Sequence, residues 1–170
     1  MTRRDRWIVL FSSLLYVASQ ANIALMTLPL EPDVLAFQLT FSPASFWSIV
    51  DAWGPGGVAL YQAHMPFDML HPLTYGALGV LIVNRTPLFV PFPPAICRFS
   101  CLALPVAGAF DLVENSCHLY LLAQGHTADA GIILLSGSCA AIKWTLVGLF
   151  LIMLALSISR QLLKTLAGRD

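Results

Sequence analysis

Charge is what this chain has least of. Asp, Glu, Lys and Arg make up 11% of its 170 residues, against roughly a quarter in a soluble globular domain. Lys and Arg are missing altogether between Trp7 and Asn84. So few charges cannot cover a water-facing surface, which places the chain outside the soluble class. Nine basic and nine acidic residues cancel, and no block interleaves basic with aromatic residues. That leaves no footprint for nucleic acid. Cysteine is also sparse: Cys97, Cys101, Cys117 and Cys139 form no C-x-x-C pair. All four lie in or beside apolar segments, where a thiol behaves as an inert small hydrophobe.

What the chain does have is length of apolar run: 58% of residues are hydrophobic and the mean hydropathy is +0.77. About 20 apolar residues carry a helix across a bilayer. Four segments qualify, at about 7–28, 58–83, 99–122 and 130–158. The expected fold is all-α: a polytopic membrane four-helix bundle forming one integral membrane domain over residues 1–170. The first segment has a rival reading. A basic start, an apolar centre and small residues at Ala18, Ser19 and Ala21 also suit a cleaved secretory signal. The run continuing through Ile23, Ala24, Leu25 and Met26 favours an uncleaved span.

Between the first two spans, Ser42-Pro43 is a helix start, with a capping hydroxyl followed by proline at the first helical position. A short amphipathic helix is expected over 44–53. Phe46, Trp47, Val50 and Trp53 would share one side, suited to the headgroup layer or to packing on the bundle. Gly54-Pro55-Gly56-Gly57 should break it before the second span begins. Within that span, Pro72 cannot bond the Asp68 carbonyl and predicts a kink. Gly76, Ala77 and Gly79 would let a neighbouring helix approach closely. Four prolines between Asn84 and Arg98 exclude a helix there. Under four spans every Lys and Arg except Lys143 falls on one side. By the positive-inside rule both termini are then cytoplasmic.

The polar residues inside the spans carry the functional expectation. His64, Asp68, His71 and Tyr75 fall within about 60° of helix face. Asp111, Glu114, Asn115 and His118 fall within about 100° on the third span. Ser136, Cys139 and Lys143 share a face of the fourth. Ionisable groups at membrane depth are costly and mark functional sites by default. Counting about 1.5 Å per residue from the outer surface, His64 is level with His118, Asp68 with Glu114, and His71 with Asp111 and Lys143. All three faces are therefore expected to meet in one pocket, with Gln20 and Asn22 near its outer end.

Four uses of such a pocket stand side by side. Asp68 and Glu114 would be an acid–base pair, with Asp111 paired to Lys143 and His71 orienting or carrying a proton, acting on a membrane-soluble small molecule or lipid. Tyr75, Asn115 and His64 would line the ligand site. A transition metal is a second use, held by Asp68, His71, Glu114 and His118, since carboxylate and imidazole at i, i+3 and i+4 spacings bind metals in bundles. The Glu-x-x-His form typical of such sites is missing. A proton-coupled transporter or channel component is a third, and a polar network that only fixes helix registry in a structural subunit is the fourth. Partners beyond the bilayer and such a ligand are not legible.

Two families share only size and helix count with this chain. The quinone-linked disulfide-forming enzymes need loop cysteines that are missing here, and the lipoprotein signal peptidases need asparagine–aspartate signatures that Asp68 and Asp111 lack. A third likeness rests on motifs: Trp53-Gly54, Tyr61, Phe67-Asp68-x-x-x-Pro72-x-x-Tyr75-Gly76, Leu104-Pro105 and Phe110-Asp111-x-x-Glu114-Asn115. Over roughly Trp53 to Asn115 the chain resembles a group of small, uncharacterised bacterial four-helix membrane proteins. The resemblance implies the span count and points to Asp68, Pro72, Tyr75, Asp111, Glu114 and Asn115; the location expected for the chain is the inner membrane. It implies no activity.

Overall fold

The computed structural model describes residues 1–127 and 129–167. Arg169, counted above among the basic residues, lies outside them. Five helices follow one another: α1 (Arg3–Thr27), α2 (Val34–Gln38), α3 (Pro43–Arg85), α4 (Pro94–Gln124) and α5 (Ala130–Ala167). A 3₁₀ turn, Gly125–Thr127, leads away from α4. Four of the helices are long and apolar enough to cross a membrane. The protein is an all-α, multi-pass membrane four-helix bundle.

Neighbouring long helices run antiparallel. Asp5 meets Arg85 and Ser19 meets His71 across α1 and α3. Tyr75 meets Asp111 across α3 and α4, and Lys143 meets Asp111 across α4 and α5. The helices form an open row, α1 on α3, α3 on α4 and α4 on α5. α1 and α5, at the two ends of the row, leave a gap between them that is lined from both sides. No residue of α1 is buried, so this helix is held along one edge only.

The ends of the bundle differ in charge. Among the described residues, Arg3, Arg4, Arg6, Arg85, Arg98, Arg160 and Lys164 gather at the end holding the start of α1 and the close of α5. Arg85 pairs there with Asp5 at 3.0 Å. Glu31, Asp33, Asp51 and Asp129 occupy the other end.

Several local expectations need correction. The break after the short amphipathic helix is one residue, not four. Gly54 alone leaves helical geometry, at φ 61° and ψ −176°, a region open in practice only to glycine. Pro55 then sits at the first turn of a new helical arm, where its missing N–H costs nothing. α3 thus has a short arm, 43–53, and a long arm, 55–85. Pro66 and Pro72 stay within helical backbone angles; no kink of the Gly54 kind forms at Pro72. Of the two placements expected for the aromatic side of the short arm, packing on the bundle is the one seen. Phe46, Trp47 and Trp53 are buried and pack with Phe37, Tyr61, Leu121 and Ile133.

Two further pieces are helical beyond the sequence expectation. α2 was not expected in the first connection. Asp33 caps it by accepting from the Ala36 N–H at 2.8 Å, and Phe37 anchors it in the aromatic cluster. In the proline turn, Pro94 opens α4, so Pro94–Arg98 is helix, again because proline suits a first turn. The turn folds back on α5: Phe89 is buried against Phe150, and Gln161 donates to the Pro87 carbonyl.

Candidate functional site

The site is built around Lys143, about a third of the way along α5. Its ammonium donates to Asp111 Oδ1 at 2.9 Å and lies 2.7 Å from Glu114 Oε2. Asp111 and Glu114 are three residues apart on α4, so both carboxylates face α5 together. Both are buried. Tyr75 on α3 donates its hydroxyl to Asp111 Oδ2 at 3.0 Å. One carboxylate therefore joins three helices. Glu114 Oε1 has no hydrogen-bond partner among the described residues.

Asp68 and His71 present a second polar face from α3. His64 Nε2 lies 3.6 Å from Asp68 Oδ2, and His64 Nδ1 donates to the Tyr61 carbonyl one turn back. That donation places a hydrogen on Nδ1 and turns Nε2 toward the carboxylate. At 3.6 Å the two are close but not hydrogen-bonded. His71 Nδ1 is 2.9 Å from Ser19 Oγ, and its ring stacks on Tyr16 at 5.5 Å.

These groups form the floor of a cavity of about 600 Å³ in the gap between α1 and α5. Asp68, His71, Tyr75, Asp111 and Lys143 line it; Glu114 does not and stands behind Lys143. The walls are apolar. Ile23 and Ala24 come from α1 and Leu28 from just beyond it, Leu78 and Ile82 from α3, and Val147, Phe150 and Leu154 from α5. The segment holding α2 closes the acidic end. Trp144 on α5 donates to Gln38 Oε1 at 3.1 Å, and Trp53 donates to the Pro32 carbonyl at 2.7 Å. Glu31 and Asp33 line that end of the cavity.

The remaining expected site residues lie elsewhere. His118 is fully buried, 2.7 Å from the Tyr61 hydroxyl and 4.6 Å, ring to ring, from Phe37. Asn115 is fully buried too, with neither amide atom hydrogen-bonded among the described residues. Ser136 Oγ, His64 Nε2 and His118 Nε2 are in the same state. The proposed metal set does not assemble. Among the described residues no three His, Cys, Asp or Glu side chains are gathered to hold a metal ion. The reason is visible: His118 is held in the aromatic cluster, His71 turns to α1, and Glu114 is taken by Lys143.

Depth counting placed the levels to within a turn, but the touching partners are tyrosines. Tyr61 rather than His64 reaches His118, and Tyr75 rather than His71 reaches Asp111. A phenol hydroxyl extends further from its backbone than an imidazole nitrogen and bridges helices at the wider spacing. Tyr61 was missed as a site residue, although it lies three residues before His64 on the same face. Ser19 and Tyr16 were missed because the first span was credited with Gln20 and Asn22. Gln20 does line the cavity, whereas Asn22 bonds within its own helix to Met26. Comparison with protein-family models, curated proteins and solved structures finds no match for the chain.

Proposed function

We propose that the protein binds a membrane-soluble small molecule in the cavity between α1 and α5 and exchanges a proton with it through Asp68. The observation that carries this reading is one enclosure of about 600 Å³ with apolar walls and a floor of Asp68, His71, Tyr75, Asp111 and Lys143. Concave, mostly apolar pockets with a few convergent polar groups are the usual form of small-molecule sites. Asp68 is the acid–base group, because it alone of the three central carboxylates is free of Lys143, with the His64 imidazole 3.6 Å away. His71 orients the ligand from the α1 side. Asp111, Glu114 and Lys143 fix the charge of the floor. The resemblance to small bacterial four-helix membrane proteins points to Asp68, Tyr75 and Asp111 as well.

The gap between α1 and α5 faces outward along the helices, so the ligand enters sideways from the bilayer. The protein sits in the inner membrane with the basic end, and so both termini, in the cytoplasm, as the positive-inside rule predicts. The test is organic extraction of protein purified in mild detergent, followed by mass spectrometry. A small molecule near one per chain is expected from the native protein and missing from Ala24→Trp, which fills the gap. Equal recovery from both, or none from either, overturns the reading.

One observation favours a transporting variant of this function. Buried polar atoms without partners on α3, α4 and α5 (His64, Asn115, His118, Ser136) continue the polar site beyond the cavity. In proteoliposomes a transporter would show a flux driven by a pH gradient and abolished in Asp68→Asn. An enzyme would lose turnover in the same variant without any such flux.

A further inference from the structure

The electrostatics of the cavity select among the molecules that would fit it. Four carboxylates line it, Glu31, Asp33, Asp68 and Asp111, against one ammonium, Lys143, and one imidazole, His71. That ammonium is already shared between Asp111 and Glu114. Negative charge is therefore in excess at the floor and again at the end closed by α2. Among the described residues no Arg lines the space, and the one helix start at it, that of α2, is already capped by the Asp33 carboxylate. A phosphate or carboxylate headgroup would face uncompensated like charge in a medium of low dielectric, where such repulsion is strong. The apolar walls continue from Lys143 toward the basic end as far as Ile82 and Leu154. Eleven residues of α5 separate Lys143 from Leu154, about 16 Å of helix, a length suited to an extended dodecyl chain.

We infer that the ligand is a cationic amphiphile. Its amine or ammonium head lies between Asp68 and Asp111, and its hydrocarbon chain runs along Leu78, Val147 and Phe150 toward Leu154. This rests on the cavity being a binding site for a membrane-soluble molecule, as proposed above, and adds the charge of the head and the direction of the tail. Lys143 holds the two α4 carboxylates in place and keeps the floor from being filled by a metal or a second cation. Asp68 then meets the ligand head as the uncommitted carboxylate.

The test uses full-length protein in nanodiscs of neutral lipid and three radiolabelled probes with one chain: dodecylamine, dodecanol and dodecanoate. Dodecylamine should be retained at about one per protein, at least about tenfold more tightly than dodecanol, a difference readily resolved in such assays. Dodecanoate should not be retained. Asp68→Asn should weaken dodecylamine retention about tenfold or more, with dodecanol unchanged, and Asp68→Glu should restore it. If Asp68→Asn fails to fold, the preference between amine and carboxylate in the native protein still decides. Retention of dodecanoate or dodecanol at the level of dodecylamine overturns the cationic assignment. If that retention is lost in Ala24→Trp, the cavity remains a binding site and only the ligand charge is wrong. Retention of none of the three overturns both.

Discussion

An ammonium buried within a membrane helix costs several kcal/mol unless it is paired. Lys143 is tolerated because Asp111 and Glu114 reach it from one face of α4. Removing the cation leaves two carboxylates confronting each other without compensation. Lys143→Met should therefore destabilise the protein by about 3–5 kcal/mol, seen as a large fall in thermal unfolding temperature in detergent. Adding Asp111→Asn and Glu114→Gln should recover most of the loss, since the three groups act as a unit. If the triple variant is as unstable as the single one, electrostatic pairing is not what Lys143 contributes. Tyr75→Phe should cost about 1–3 kcal/mol, because it leaves Asp111 Oδ2 without its donor in a buried place. The same unfolding assay measures it. All these residues stood out in the sequence because polar groups are rare in apolar segments. Tyr61 did not, since a tyrosine in a membrane span is unremarkable until its hydroxyl is seen against His118.

Two glycines set how the elements meet. At Gly54 the backbone turns through positive φ, so that the short arm of α3 lies over the bundle end while the long arm enters it. Gly54→Ala should cost about 1–3 kcal/mol through backbone strain alone, as no atom lies near an added Cβ. Gly137 differs in kind. Its backbone angles are ordinary, but a Cβ there would collide with the Thr40 carbonyl oxygen, where the α2 segment crosses α5. Gly137→Ala should cost about 1–3 kcal/mol by overpacking. Gly148→Ala, with nothing near its Cβ, should be neutral or stabilising by up to about 1 kcal/mol. Equal thermal shifts for Gly137→Ala and Gly148→Ala would refute the contact. The four long helices were legible from run length, and their order from connectivity. α2 was not, because five residues carry no hydrophobic period long enough to read.

For the whole molecule, the proposed orientation rests on the separation of charge between the two ends. Every described Lys and Arg apart from Lys143 gathers at one end, and positive loops resist translocation. In a background without the four native cysteines, Asp33→Cys should react with an impermeant thiol reagent in spheroplasts. Lys164→Cys should react only after the membrane is opened. The reverse pattern would invert the proposed topology. The open row of helices belongs to this scale too. α1 is held along one edge and has no buried residue, so in the proposed ligand entry it would be the helix to move aside.

By itself the sequence determined the class, the number of spans, the gathering of basic residues at one end and the presence of polar stripes. Each follows from local composition, because a bilayer imposes one length and one polarity on any helix that crosses it. The tertiary structure decided which stripe residues touch. It gave Lys143 two carboxylates, left Asp68 with His64, drew His118 into the aromatic cluster and so dispersed the expected metal set. It also decided that α1 and α5 stand apart. Helical period fixes the face a residue occupies, but not which neighbour that face meets or how far a side chain reaches across. Those depend on the packing of all the helices at once.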